Sequence, residues 1–193
     1  MPRPFSPRPT SPPTALLQHW VADLIHVQST DRVLELGDSP SLALHAVAFH
    51  LTNGHVVGLD PRGARLDLTR HYTAPMRDNQ VCAVQGMGEA LPFAPATFDK
   101  ALAVAVLEGV PEPLALLYEV RRVLRPGGLV AVCWLPGVTP ARLGRPAAGA
   151  GHTGEPVEVI ELLLAAGFTG PWMRTNYSAW GEGRCAQATK PAD

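Results

Sequence analysis

Apolar runs bounded by polar or glycine-rich breaks alternate along this chain with stretches whose apolar residues recur at helical spacing. Leu16, Leu17, Trp20, Val21, Leu24 and Ile25 fall on one helical face, with Thr14 placed to cap that helix. A strand is expected at Arg32–Leu36, then an apolar helix at Leu42–Leu51 that stops at Asn53-Gly54. The strand His55–Leu59 leads to a helix around Arg62–His71, and a short strand follows near Val81–Val84. Phe98–Val104 is a further strand and Leu114–Leu124 a helix. Pro126-Gly127-Gly128 then forces a turn into Leu129–Trp134, apolar at nearly every position as a strand buried on both faces requires. A Gly-, Pro- and Ala-rich loop at 136–154 precedes a helix at Glu155–Ala166 closed by Gly167. Two weaker strand signals lie near Trp172–Thr175 and Arg184–Thr189. Strands that alternate with helices predict an α/β fold with a mostly parallel sheet covered on both faces.

The first thirteen residues change that picture. They hold six prolines among serines and arginines, so they are expected to form a disordered leader, with one domain over 14–193. At 193 residues, 46% hydrophobic and 17% charged, the chain can bury a real core. A net charge of -1 without a basic run offers no electrostatic case for nucleic acid or an anionic membrane surface. No apolar run reaches the roughly 20 residues a bilayer span needs. The start of the chain lacks a signal-type hydrophobic stretch, so a cytoplasmic location is expected.

Cys82, Cys133 and Cys185 are far apart and lack CxxC spacing, which favours neither a disulfide framework nor a zinc cage. Cys82 and Cys133 lie in apolar stretches and read as small core residues. His45, His50 and His55 show neither metal-ligand spacing nor an acid partner and read as structural or surface residues; no metal site is expected. Trp134, Trp172 and Trp180 are candidates to line a cleft, with core packing favoured for the first two.

Candidate chemistry gathers at two strand ends. Val33-Leu34-Glu35-Leu36 runs into Gly37-Asp38-Ser39-Pro40-Ser41, and Val56-Val57-Gly58-Leu59 closes on Asp60. A glycine turn after an apolar strand lets backbone approach a ligand closely, and an acid at the next strand tip can accept hydrogen bonds from a ribose diol. Together they point to an adenosine-containing cofactor. For Asp60 the blander alternative is an Asx-type turn before Pro61.

Four phrases in order carry a family resemblance: Ala90-Leu91-Pro92-Phe93, then Phe98-Asp99, then Glu119 through Val130 (EVRRVLRPGGLV), then Leu163-Leu164-Ala165-Ala166-Gly167-Phe168. Over about residues 30–190 the chain resembles the class I S-adenosylmethionine-dependent methyltransferases, in their small-molecule, type 11-like branch. The resemblance implies a Rossmann-like, doubly wound, seven-stranded sheet whose last strand is antiparallel. It implies S-adenosyl-L-methionine as cofactor, with Glu35, Gly37 and Ser39 at its methionine and ribose end. Asp60 is then assigned the ribose hydroxyls, Met87 and Gly88 the border of the adenine, and the backbone carbonyls of Ala103 and Val104 the cofactor amino group.

The chain departs from that pattern where Ser39 and Ser41 replace usual glycines, and where Met87 replaces an aspartate that would accept from the adenine amine. Methionine can pack on the ring but accepts such a bond only weakly. Relatives carry histidines near Leu107-Glu108-Gly109-Val110. Here Glu108 is the titratable residue placed to meet substrate, as a base or as a binder of a cationic group; the alternative is a solvated carboxylate at a helix start. Glu89 is expected to orient its loop, and Asp99 to be a fold signature.

Methyl transfer from a sulfonium is an in-line displacement that positioning alone can accelerate, without an obligatory acid or base. Two functions follow. One is a methyltransferase acting on a small molecule, with a homodimer or a partner subunit closing an exposed site. The other is a methyltransferase-like protein without transfer activity, serving as a cofactor-binding or scaffold subunit.

Overall fold

The computed structural model describes residues 20–37, 40–60, 80–86, 88–107, 110–134, 136, 156–178 and 181–192, with the side chains of 40–43, 60, 178 and 181 excepted. The expected leader, the Thr14 cap, the helix near Arg62–His71, nearly all of the 136–154 loop and Trp180 lie outside them.

Seven strands form one sheet: β1 (Arg32–Gly37), β2 (His55–Asp60), β3 (Val81–Gln85), β4 (Phe98–Val104), β5 (Leu124–Trp134), β6 (Thr169–Ser178) and β7 (Gly181–Thr189). The spatial order is β3-β2-β1-β4-β5-β7-β6. β1 to β5 pair in parallel, and β7 runs antiparallel between β5 and β6. The helices include α1 (Pro40–Ala48), α2 (Pro113–Val123) and α3 (Pro156–Ala165). Residues 20–24 are helical ahead of β1.

Alternation along the central strands divides their side chains between two cores. Leu34, Leu36, Ala101, Ala103, Val130 and Val132 join Leu116, Leu117, Val120, Leu163 and Phe168 from the α2 and α3 side. Val33, Leu102, Val104, Ala131 and Cys133 join Val21, Ile25, Leu44 and Val47 on the other face. Burial on both faces explains why these strands read as unbroken apolar runs. Leu116 and Leu117 are wholly buried, which contributes about 1.5–3 kcal/mol of transfer free energy apiece.

Polar pins secure the amino-terminal ends of the strands. Asp99 accepts from the Arg32 backbone N–H at 2.8 Å and from Arg125 Nη1 at 2.6 Å, the fold role expected of it. Lys100 Nζ lies 2.7 Å from Asp31 Oδ2. Arg32 Nε donates to His55 Nε2 at 3.1 Å; burial and that neighbouring guanidinium hold the His55 imidazole below its ordinary pKa. Gly54 must be glycine, because a Cβ there would stand 2.2 Å from the Asp31 carbonyl oxygen.

Several expectations need correction. Cys82 is exposed, because β3 is the sheet's edge strand. Trp172 is 40% exposed on the outermost strand, β6, where Arg174 stacks over its ring, so it is no core residue. The Pro126-Gly127-Gly128 turn lies inside β5. The strand starts at Leu124 and absorbs the turn as an irregularity, with a register shift against β4 and φ +76° at Gly127. α1 spans Pro40–Ala48, three residues short of the expected Leu51. β6 and β7 are longer than their sequence signals. Among the described residues no helix is long and apolar enough to cross a membrane.

Candidate functional site

The chain lays β1, β2 and β3 toward one edge, then crosses back to place β4 on the other side of β1. In open α/β sheets that reversal opens a crevice beyond the carboxyl ends of the two flanking strands. Here the flanking ends are Gly37 of β1 and Val104 of β4, which are register partners.

Glu35 is 1% exposed. Among the described residues, neither carboxyl oxygen has a hydrogen-bond partner. Its Oε1 lies 2.5 Å from the Cβ that a side chain at Gly37 would carry, and the Val104 carbonyl oxygen lies 3.7 Å from the same point. Two accepting groups therefore converge on the space that glycine leaves open. Burial pushes the Glu35 carboxyl up to about 8, since removal from water penalises the anion. A buried carboxyl without a donor costs about 1–3 kcal/mol, and an ammonium placed above Gly37 would meet both acceptors.

The neighbouring peptide is fixed. The Ala105 N–H donates to the Cys133 carbonyl at 2.7 Å. In a trans peptide the Val104 carbonyl then points the opposite way, back toward β1. Ala105 itself holds φ 52°, a left-handed conformation uncommon for a residue with a Cβ. Such backbone strain gathers at binding sites and turns.

On the β3 side, the segment after Gly86 is clamped to α2. Glu119 Oε2 accepts from the Leu91 N–H at 2.9 Å, and Arg122 donates to the carbonyls of Phe93 (2.8 Å) and Leu91 (3.0 Å). The two side chains also pair with each other at 2.7 Å. The hydrogen bond from Arg122, and then that from Leu91, hold the Glu119 carboxyl below its ordinary range. Gly88 packs tightly against α2: a Cβ there would stand 2.7 Å from Leu116 Cδ1.

Of the expected site residues, Glu35, Gly37, Ala103 and Val104 are brought together at the crevice, with Ala103 and Val104 buried. Asp60 ends β2 beside Gln85 of β3, on the same rim; its side chain is outside the described set. Gly88 sits in the clamped segment. Ser39, Met87 and Glu108 lie outside the described residues.

Two features escaped the sequence reading. The Glu119–Arg122 clamp had a signal, an acid and a base three apart on an amphipathic helix. The Ala105 conformation had none, because only its neighbours impose it.

A family model described as a methyltransferase domain matches residues 34–132, just over half of the chain. The chain belongs to the class I S-adenosylmethionine-dependent methyltransferase family. Within that family it is 32% identical over 113 residues to an uncharacterized methyltransferase of Schizosaccharomyces pombe, a match covering 55% of this chain and 41% of that protein. The matched region thus spans less than half of that methyltransferase's length. Among solved structures, a SAM-dependent methyltransferase from Aquifex aeolicus superposes with a TM-score of 0.75 at 17% identity, covering 94% of each chain. The cyclase SpnF superposes with a TM-score of 0.76 at 18% identity, covering 93% of this chain and 82% of its own. These two likenesses concern the fold alone.

Proposed function

We propose that the chain transfers a methyl group from S-adenosylmethionine to a small molecule, chiefly by positioning donor and acceptor. The observation that carries this reading is the convergence of the Glu35 carboxyl and the Val104 carbonyl on the space above Gly37. Two acceptors without a donor, in a water-poor site, suit the α-ammonium of an amino-acid moiety. When bound there, S-adenosylmethionine supplies an electrophilic methyl on a sulfonium. The chain's part is to hold that end still, with Glu35 ionising against the ammonium and Gly37 keeping the backbone thin. Asp60 is assigned the ribose hydroxyls, and Gly88 in its clamped segment the adenine side, with Met87 packing on the ring. Glu108 is assigned to the acceptor, as a base or as the binder of a cationic group.

Calorimetric titration with S-adenosylmethionine and S-adenosylhomocysteine tests the reading. Micromolar binding is expected, weakened at least tenfold in Glu35→Ala and in Asp60→Ala. A folded sample that binds neither compound would leave a methyltransferase-like protein without transfer activity.

A further inference from the structure

Two nucleophilic side chains take no part in the chemistry described above. Cys133 of β5 and Cys185 of β7 are register partners in the antiparallel pair, and both side chains lie in the core shared with Leu44 and Val47. The Cys133 carbonyl accepts from the Ala105 N–H at 2.7 Å, so it points toward β4 and away from β7. In a strand the N–H and carbonyl of one residue point the same way. Cys133 and Cys185 are therefore a non-hydrogen-bonded pair, the class whose side chains approach most closely. Such a pair sets its Cα atoms about 4.5 Å apart, inside the span of about 4.4–6.8 Å that a disulfide bridges. Both thiols are free and buried, and they share a hydrogen bond.

We propose that Cys133 and Cys185 form a reversible disulfide, made by a peroxide-class oxidant, that fastens β7 to β5. The proposal does not depend on the methyltransferase reading. One thiolate attacks a peroxide oxygen, the O–O bond breaks, and a sulfenic acid and hydroxide result. The second sulfur then attacks the sulfenic sulfur, so that the S–S bond forms, the S–O bond breaks and the oxygen leaves as water. Two thiols and one hydrogen peroxide thus give one disulfide and two waters. The oxidant needs to reach only one sulfur, because the register already holds the other beside it. β7 lies one strand in from the sheet's edge, and local opening of an outer strand admits a molecule little larger than water. Burial, and then the shared hydrogen bond, keep the Cys133 thiol protonated near neutrality, so the pair responds to sustained oxidant rather than to a brief pulse. Once formed, the bond closes the chain around α3 and β6, and a long closed loop stabilises by restricting the unfolded chain.

The test uses the full chain carrying Cys82→Ser, which removes the exposed thiol and its side reactions. The folded sample is treated with hydrogen peroxide, the excess is destroyed with catalase, and thiols are counted in denaturant with an aromatic disulfide reagent. Both remaining thiols are expected to disappear together, and dithiothreitol is expected to restore both. On a non-reducing gel the oxidised chain should run as a monomer and faster than the reduced one. Its urea midpoint should lie above that of the reduced chain. Cys133→Ala and Cys185→Ala in the same background should each lack the fast-running form. Should either variant fail to fold, mass spectrometry of peptides from the oxidised Cys82→Ser chain identifies the linked cysteines instead. Two thiols still countable at a peroxide dose that consumes Cys82 of the wild type would overturn the proposal. So would a loss that dithiothreitol does not restore, a link between two chains, or a lowered urea midpoint.

Discussion

The Glu35 carboxyl occupies the room that a side chain at Gly37 would need, its Oε1 2.5 Å from that Cβ position. The clashing atom is the far end of a flexible side chain, so Gly37→Ala can be accommodated by swinging the carboxyl aside. The variant is expected to stay within about 1 kcal/mol of wild-type stability, while affinity for S-adenosylhomocysteine falls at least tenfold. Denaturant melts and calorimetry on one preparation check both halves. Equal losses in the two measurements would show that the glycine serves the backbone rather than the ligand.

Glu35 also links stability to pH. Its carboxyl titrates near 8 in the folded chain, against an ordinary value near 4.5. Between those values the folded state keeps a proton that the unfolded state releases, so stability drains as pH rises through the window and is complete below it. The wild type is expected to lose on the order of a few kcal/mol across that range from this group. Glu35→Gln has no proton to release there and should hold level. Urea midpoints at several pH values provide the comparison, and parallel slopes would refute the assignment.

Binding should move in the opposite sense. If the ammonium pairs with an ionised Glu35, affinity for S-adenosylhomocysteine rises with pH toward about 8, and binding near neutrality releases a proton. Titrations in buffers of different ionisation enthalpy measure that release directly. Glu35→Gln should show none from this group.

The α2 clamp acts as one unit. Glu119→Ala and Arg122→Ala are each expected to destabilise by about 1–2 kcal/mol, because each strands a backbone partner at Leu91 or Phe93. The double substitution should cost less than the two singles combined. Strict additivity in denaturant melts would mean that the pair does not share its task.

Thiol reactivity should split unevenly. Cys82 is exposed, whereas Cys133 and Cys185 are buried and face each other across β5 and β7. Burial, and then the hydrogen bond and proximity of Cys185, raise the Cys133 thiol well above its ordinary range, so its reactive thiolate is scarce. An aromatic disulfide reagent should titrate one thiol quickly in the folded chain and the other two only in denaturant.

Much of the fold was legible because burial writes itself into the order of residues. Phe98–Val104 was bounded as the structure has it, and β1, β2 and β3 each end one residue past their expected limits. Burial of β1 and β2 on both faces makes most of their residues apolar and easy to read, and β3 follows them as a short apolar run at the sheet edge. β6 and β7 were underestimated. Asn176, Ser178, Gly181 and Gly183 have poor strand propensity, and the pairing of β6 with β7 supplies what propensity lacks. Cys82 and Trp172 misled for a related reason: an apolar residue on an outer strand has the composition of a core residue without the cover. At the site, sequence marked Glu35, Gly37 and Val104, but their convergence came from the β1–β4 register, and the Ala105 backbone from contacts remote in the chain.

Asp99, the Asp31–Lys100 pair and the Arg32–His55 contact all sit at the rim opposite Glu35, Val104 and Trp134. One end of the sheet is thus a foundation and the other a workbench. Altering the workbench to accept a new compound leaves the foundation's fastenings untouched, so selection can retool this scaffold without first rebuilding it.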